Sequence, residues 1–544
     1  MSEAAQSRLL SPDGHPCFRD NILPHVTVAI VFLVSIIYVT YGTNRSIWLD
    51  EATSVLIAQQ PLRGIVSDLS RDGNPPLYYF LLDITTHIAG NSELAVRLPS
   101  VISYILAVFA MYHLIVKLYN NHRAAAFAAA LYAISPIAGT QAQNVRMYSM
   151  LGLITILATM AFAVLAWDGG HNIASIFAHS ALTVVGLLTH YWFAFVLLGQ
   201  WMWVVCTIKR WTGRRLLLLA AADTLPFSIL WLPVFLQQLT LPTASWHLRP
   251  RLRELLESVT ANIGIFPLSR TSAIIIVVLS IVGGVALAIK WRRKDHVAID
   301  ERSVFLVVSL ICTLCVPFTI SQVRPIFWPG RYTIVSLPFL AALFGVVLSH
   351  LRPAMALVVI CIAGISSGQY FVRKVWEAKL TQILMLPDPV PLGDRPAGQY
   401  ICTSARPGDI VVYTSLSRAA VEYYLQRCGI APHLVQISYP HEFGSHLGWL
   451  DWKRRYVDEP AFQAEADALL REVRDLMSRS DRTLFLLRGS DSGPFKAFSG
   501  TALGDFLTAK LERVCPAVNT KRFMGSFFSE IRVYRYGNTA ECRK

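Results

Sequence analysis

At 544 residues, 54% hydrophobic and only 15% charged, with a mean hydropathy of +0.45, the chain excludes an ordinary soluble protein, whose charged share is about 25%. The net charge of +14 does not point to nucleic acid, because the basic residues are spread over short loops rather than gathered on one helix or stripe; anionic lipid is the partner it fits. From Asp394 onward 38 of 151 residues are charged, against 46 of the 393 before, and that step marks a domain boundary.

Arg8 and Arg19 precede an apolar run from His25 to Thr43 that is long enough to stay as a first span, so a cleaved leader is not expected. Further runs of about 20 apolar residues, the length that crosses the hydrocarbon core, recur between charged punctuation. They read as spans over 98–116, 124–142, 147–167, 173–189, 191–208, 216–236, 271–289, 303–322, 332–350 and 353–371. The predicted fold class is an α-helical polytopic membrane protein of about eleven transmembrane helices with a C-terminal extracytoplasmic α/β domain.

The segment 44–97 between the first two spans carries the chemistry. Trp48-Leu49-Asp50-Glu51 places paired carboxylates where the first span meets the membrane surface, and ionisable groups near bilayer depth are costly and usually functional. Half in lipid and half in water, such an acid can be poised to take a proton from a hydroxyl. The structural alternative is Asp50 capping a short interfacial helix from Glu51 to Gln60, and both readings can hold. Asp72-Gly73-Asn74-Pro75-Pro76 ends one element and launches another. Glu93 and Arg97, four apart, suggest a simple helix pair.

Gln143-Asn144-Val145-Arg146-Met147-Tyr148 and Arg324-Pro325…Arg331-Tyr332 each present an arginine and a tyrosine at an expected outer interface. Aromatic belts explain the tyrosines, but arginines converging from several loops make an anion site, the preferred reading for Arg146 and Arg331. His190-Tyr191-Trp192 forms the turn in an uncharged stretch, 169–208. Asp223, inside the seventh span, is either a polar packing contact or the lining of a cavity.

The clusters Lys209-Arg210…Arg214-Arg215 and Lys290…Arg292-Arg293-Lys294 fall on one side, the cytoplasmic one by the positive-inside rule. The opposite side has arginines (Arg45, Arg63, Arg71, Arg249, Arg251, Arg253, Arg270, Arg324, Arg331) and, before residue 374, no lysine. Guanidinium grips phosphate through a planar fork, so this surface hints at a phosphate-bearing ligand; snorkelling at the headgroups is the plain alternative for any one of them.

After a linker with Pro387, Pro389 and Pro391, the tail reads as a small α/β domain. Buried strands are expected at 409–413 and 483–487, with a helix over 419–425. It shows no Gly-rich phosphate loop and no metal-spaced cluster, so no catalytic role is assigned to it. Cys402, Cys428, Cys515 and Cys542 allow one or two disulfides, whereas Cys312-x-x-Cys315 lies in a span and reads as packing.

Taken in order, Trp48-x-Asp50-Glu51, Asp72-x-x-Pro75-Pro76-Leu77-Tyr78-Tyr79, Glu93-x-x-x-Arg97-x-Pro99-Ser100, Ser135-Pro136, Arg146-x-Tyr148, Thr189-His190-Tyr191 and Arg331-Tyr332 resemble the membrane-integral glycosyltransferases of the GT-C superfamily. The branch is that of protein O-mannosyltransferases and the aminoarabinose transferases of lipid A, and the match runs through most of the first 350 residues. The resemblance implies a polyprenyl-phosphate-linked sugar as donor, no metal or other cofactor, and a hydroxyl acceptor on a glycan, lipid or protein at the outer face of an inner (plasma) membrane. It implies Asp50 as general base; Asp50 and Glu51 are both taken as catalytic, since either could cap while the other works, and Asp72, Asn74, Arg97, Arg146, Tyr148, His190, Tyr191, Arg331 and Tyr332 are expected as substrate-binding residues. Departures are Asn74, where relatives often carry His or Lys, and Asn144, where many carry Glu; any second acid must then be Glu51 or Asp72.

The domain division expected is 1–386, with the catalytic loop inside it, and 387–544. Two other functions compete: a flippase of a lipid-linked saccharide, disfavoured by the lack of internal repeats, and a catalytically silent assembly protein.

Overall fold

The computed structural model describes residues 33, 36–37, 39–40, 43–168, 173–241, 249–262, 300–368, 393–414, 417–441, 459–488, 503–513, 517–524 and 530–537. These divide into two compact units. The first draws on Met1–Gly42, Pro99–Leu232 and His247–Arg373, the second on Thr43–Leu98, Pro233–Trp246 and Lys374–Lys544. The loop between the first two expected spans thus groups with the polar tail, although it lies more than 300 residues earlier in the chain.

Among the described residues, Ala95–Tyr119, Tyr148–Trp167, Glu301–Ile320 and Tyr332–Ser349 are long and apolar enough to cross a membrane. The bent pairs His122–Ile134 with Pro136–Ala142 and Gly213–Leu230 with Leu232–Leu239 add up to two more, and Ile173–Thr189, Phe193–Cys206 and Pro353–Gly368 are shorter apolar helices. The spans expected over 25–43 and 271–289 lie mostly or wholly outside the described residues.

The expected span 124–142 is broken. Its halves meet at 59° because Ser135, preceding Pro136, is held extended (ψ 123°) and starts a new helix, its hydroxyl accepting from the Ala138 amide at 3.4 Å. Small residues let two helices approach closely: a Cβ on Gly345 would lie 2.8 Å from the Ala124 carbonyl oxygen and the Ala128 nitrogen.

In the second unit, the helices Leu49–Ala58, Leu62–Ser70 and Leu77–Ala89 accompany a five-stranded sheet. Its strands are β1 (Ile410–Thr414), β2 (Val435–Tyr439), β3 (Leu484–Arg488), β4 (Asn519–Met524) and β5 (Glu530–Tyr536), in the order β2-β1-β3-β5-β4. β1 pairs parallel with β2 and β3, while β5 runs antiparallel to β3 and β4.

Alternate residues of β1 and β3 serve two cores, as a strand covered on both faces requires. Val411, Tyr413, Phe485 and Leu487 pack with Ala397, Ile401, Val421 and Leu425. Ile410, Val412, Leu484 and Leu486 pack with Ala466, Leu469, Val473 and Met477. β1 and β3 occupy the segments expected from their apolar runs. β2, β4 and β5 (VQISY, NTKRFM, EIRVYRY) escaped that reading because each mixes polar or charged residues into its short strand.

Cys402 and Cys428 form a disulfide joining helix Asp394–Ser404 to the end of helix Arg418–Arg427; Cys515 and Cys542, like the proline linker, lie outside the described residues. Cys312 and Cys315 are free thiols.

Candidate active site

Trp48 is extended (φ −106°, ψ 173°) and serves as the N-cap of helix Leu49–Ala58, which places Asp50 and Glu51 in its first turn. Glu51, not Asp50, reaches back: its Oε2 accepts from the Trp48 amide at 3.3 Å. Asp50 is half-buried, whereas Glu51 is fully buried.

Glu51 is held there by Arg97, itself fully buried, in a two-pronged pair. Arg97 Nε donates to Oε1 at 2.9 Å and Nη2 to Oε2 at 2.7 Å, while Nη1 donates to the carbonyls of Thr43 (2.6 Å) and Arg45 (3.0 Å). Arg97, expected among the substrate-binding residues, is engaged by the loop itself. Its donors are consumed inside the loop, and no face reaches solvent.

The expected Glu93–Arg97 side-chain pair is also absent. Arg97 meets only the Glu93 backbone carbonyl, at 3.4 Å, while the Glu93 carboxylate accepts from Arg395 Nη2 at 2.9 Å and from Arg427 Nη1. Nothing in the sequence around Glu93 announces partners more than 300 residues away.

Asp72 and Asn74 are buried in their own turn. Asp72 Oδ1 accepts from the Gly73 amide at 2.7 Å and Oδ2 from Asn74 Nδ2 at 2.9 Å, and Gln238 Nε2 closes the turn by donating to the carbonyls of Leu69 (2.7 Å) and Asn74 (3.2 Å).

In the first unit, Tyr148, His190 and Tyr332 come together from three elements. The His190 ring lies 5.7 Å from Tyr148 and 4.9 Å from Tyr332, centroid to centroid, and the tyrosines are 6.0 Å apart. The Arg146 guanidinium is 5.9 Å from the Tyr148 ring. The Trp192 amide donates to His190 Nδ1 at 3.1 Å, which leaves the ring hydrogen on Nε2. Burial, aided by the Arg146 charge, pulls the His190 pKa from 6.5 down to about 3, so the ring is a neutral hydrogen-bond donor.

Gln141 supports this cluster. Its Nε2 donates to the Gly330 carbonyl at 2.8 Å, tying the short helix Pro136–Ala142 to the turn that precedes Arg331; Gly330 has φ +75°, open to glycine with little strain. Arg331 itself stands 5.3 Å from the Trp328 ring, and the Tyr191 hydroxyl accepts from Trp231 Nε1 at 2.8 Å. Of the residues expected here, the structure gathers Arg146, Tyr148, His190 and Tyr332. Trp192, 5.4 Å from the Tyr332 ring, was missed because an aromatic at a span end reads as belt.

Asp223 is a packing contact. Fully buried, its carboxylate accepts from Ser180 Oγ at 2.7 Å and Trp201 Nε1 at 3.1 Å, with His179 Nε2 at 3.7 Å. Two of the arginines expected on the outer side are paired close by, Arg71 with Asp68 and Arg253 with Glu257; Arg270 lies outside the described residues. Among the described residues, no three His, Cys, Asp or Glu gather as a metal site would need.

Residues 73–233 match the sequence family described as dolichyl-phosphate-mannose-protein mannosyltransferase. No curated protein matches the chain by sequence. Two solved structures of ArnT from Cupriavidus metallidurans share its fold. The apo form gives a TM-score of 0.59 at 13% identity, over 95% of this chain and 98% of that one. The form bound to undecaprenyl phosphate gives 0.56 at 12% identity, over 95% and 99%. The chain thus shares the fold of these ArnT structures over nearly its whole length.

Proposed function

We propose that this chain, a GT-C-fold membrane protein carrying a mannosyltransferase-family segment, is an inverting glycosyltransferase that moves a sugar from a polyprenyl-phosphate donor to an acceptor hydroxyl at the extracytoplasmic face of its membrane. The observation that carries this reading is the buried pair that fixes the acidic turn. Glu51 is held by Arg97, and Asp50, half-buried one residue earlier, stands in the same first turn of helix Leu49–Ala58.

In this reaction Asp50 takes the proton of the acceptor hydroxyl as that oxygen bonds to the anomeric carbon from the face opposite the phosphate. The bond from that carbon to the phosphate oxygen breaks, and the polyprenyl phosphate leaves with the electron pair. A stable phosphate anion needs charge stabilisation and not a proton, so one base suffices where a glycosidase needs two carboxylates. Arg146, Arg331 and the neutral Nε2–H of His190 are the groups assigned to the donor, with Tyr148 and Tyr332 flanking it. Glu51 and Arg97 position the base, and Asp72, Asn74 and Tyr191 hold the shapes of their loops. The undecaprenyl phosphate bound by the ArnT relative supports a donor of this class. The tail, 387–544, is assigned to the extracytoplasmic side with the loop.

The test uses proteoliposomes and radiolabelled undecaprenyl-phosphate mannose, glucose and arabinose. Removing a general base costs about 10²–10⁴ in rate, so Asp50→Asn should lose at least that lower factor in turnover while still binding donor. Transfer by Asp50→Asn at the wild-type rate, or donor crossing the bilayer with no sugar transferred, would overturn the proposal.

A further inference from the structure

The loop that bears Asp50 is gripped from two sides within the second unit. Arg97 holds the carbonyls of Thr43 and Arg45 and the Glu51 carboxylate from within the loop. The tail holds the same lead-in from its other side. Arg395 donates from Nη2 to the Asn44 carbonyl at 2.6 Å and from its amide to Ser46 Oγ at 3.0 Å; the Ile47 amide donates to the Tyr424 hydroxyl at 2.8 Å.

The approach is close enough to require glycine: a Cβ on Gly393, at φ +91°, would lie 2.5 Å from that of Ser46. At the loop's far end, the Tyr423 hydroxyl donates to the Asn91 carbonyl at 2.6 Å, and burial pushes that phenol's pKa up, keeping its proton in place. Between these contacts sits Glu93, only 4% exposed, with one carboxylate oxygen on Arg395 and the other on Arg427.

We propose that the tail is a positioning device for the catalytic loop, with Glu93, Arg395 and Arg427 as the positioning residues that fix the pose of Asp50. The proposal rests on the reading of Asp50 as the base. Its physical basis is the sign of the charges. One buried carboxylate bridges two guanidinium groups that arrive from different helices, Asp394–Ser404 and the Arg418–Arg427 helix packed on Leu49–Ala58. With that carboxylate neutral, two cations repel at the same spot and the clasp opens. The two helices are bridged by Cys402–Cys428, so both arginines are presented to Glu93 together.

A displaced base weakens turnover without weakening donor binding, since orientation is lost and contacts to the donor are not. The full-length protein in nanodiscs is therefore examined by two readouts. Hydrogen exchange of the amides of residues 43–58 reports the clasp directly. The dependence of transfer rate on undecaprenyl-phosphate mannose, glucose or arabinose, whichever the wild type uses, separates kcat from KM.

In Glu93→Gln, exchange over 43–58 should rise and kcat should fall roughly 100-fold with donor KM little changed, the scale of loss expected from a misplacement of about 1 Å. Glu93→Asp, which keeps the charge, should recover most of that turnover. Arg427→Gln, at a partly exposed side chain, should reproduce the effect in weaker form should Glu93→Gln fail to fold. Unchanged exchange in the neutral variants overturns the clasp. Raised exchange with unchanged kcat, or a loss confined to KM, overturns the positioning role. Wild-type protein that transfers no sugar would sink the proposed function and not the clasp, which exchange decides by itself.

Discussion

Glu51 and Arg97, separated by 46 positions, form a fully buried two-pronged ion pair with contacts of 2.9 and 2.7 Å. The pair closes the loop on itself: the start of helix Leu49–Ala58 is fixed to the residue immediately before helix Leu98–Tyr119 begins. A carboxylate so engaged is a structural part of the helix turn that also carries Asp50.

Breaking this pair from one side strands the other charge in a buried site, which typically costs about 3–5 kcal/mol. Arg97→Met and Glu51→Gln should each lower thermal stability by an amount of that order, measured by unfolding of the detergent-solubilised protein. Arg97→Lys should recover only part of it, because an ammonium cannot reproduce the fork or reach the Thr43 and Arg45 carbonyls together. Full stability in Arg97→Lys would show that charge alone matters there.

His190 makes stability depend on acid in a definite direction. Its folded pKa of about 3 lies below its ordinary 6.5, so between these values the unfolded chain binds a proton that the folded one refuses. The stability contribution is present in full above pH 6.5 and is lost progressively as the pH falls toward 3. His190→Gln should flatten the loss of stability between pH 7 and pH 5. An identical slope in wild type and variant would assign the acid sensitivity to other groups.

Gly345 sets how closely its helix approaches Ala124 and Ala128. Gly345→Ala should destabilise by about 1–3 kcal/mol through overpacking against backbone that cannot yield. Gly364, with nothing within 4 Å of where its Cβ would stand, is the matched control, and there alanine should be neutral or stabilising through helix propensity alone. Equal thermal shifts for the two variants would contradict the packing argument.

The legible part of the candidate site was its inventory. Asp50, Arg146, His190 and Tyr332 stand out because a charged or polar residue at the end of an apolar run is conspicuous along the chain, and the same local contrast located the helices and the buried strands β1 and β3. What was misread was pairing. The four-residue spacing of Glu93 and Arg97 suggested each other as partners, yet that pairing would have left the buried Glu51 charge and the partly exposed Arg395 and Arg427 charges without these counter-ions.

By itself the sequence determined the membrane class, the polar tail and the order of the motifs, all of which follow from hydrophobicity summed over consecutive residues. Only the tertiary structure decided that Glu51 answers to Arg97, that the loop belongs with the tail and not with the helices that flank it, and that Glu93 answers to Arg395 and Arg427. Those outcomes turn on charges that meet across tens to hundreds of positions, where burial forces each ion to find whichever counter-ion the folded chain brings within reach.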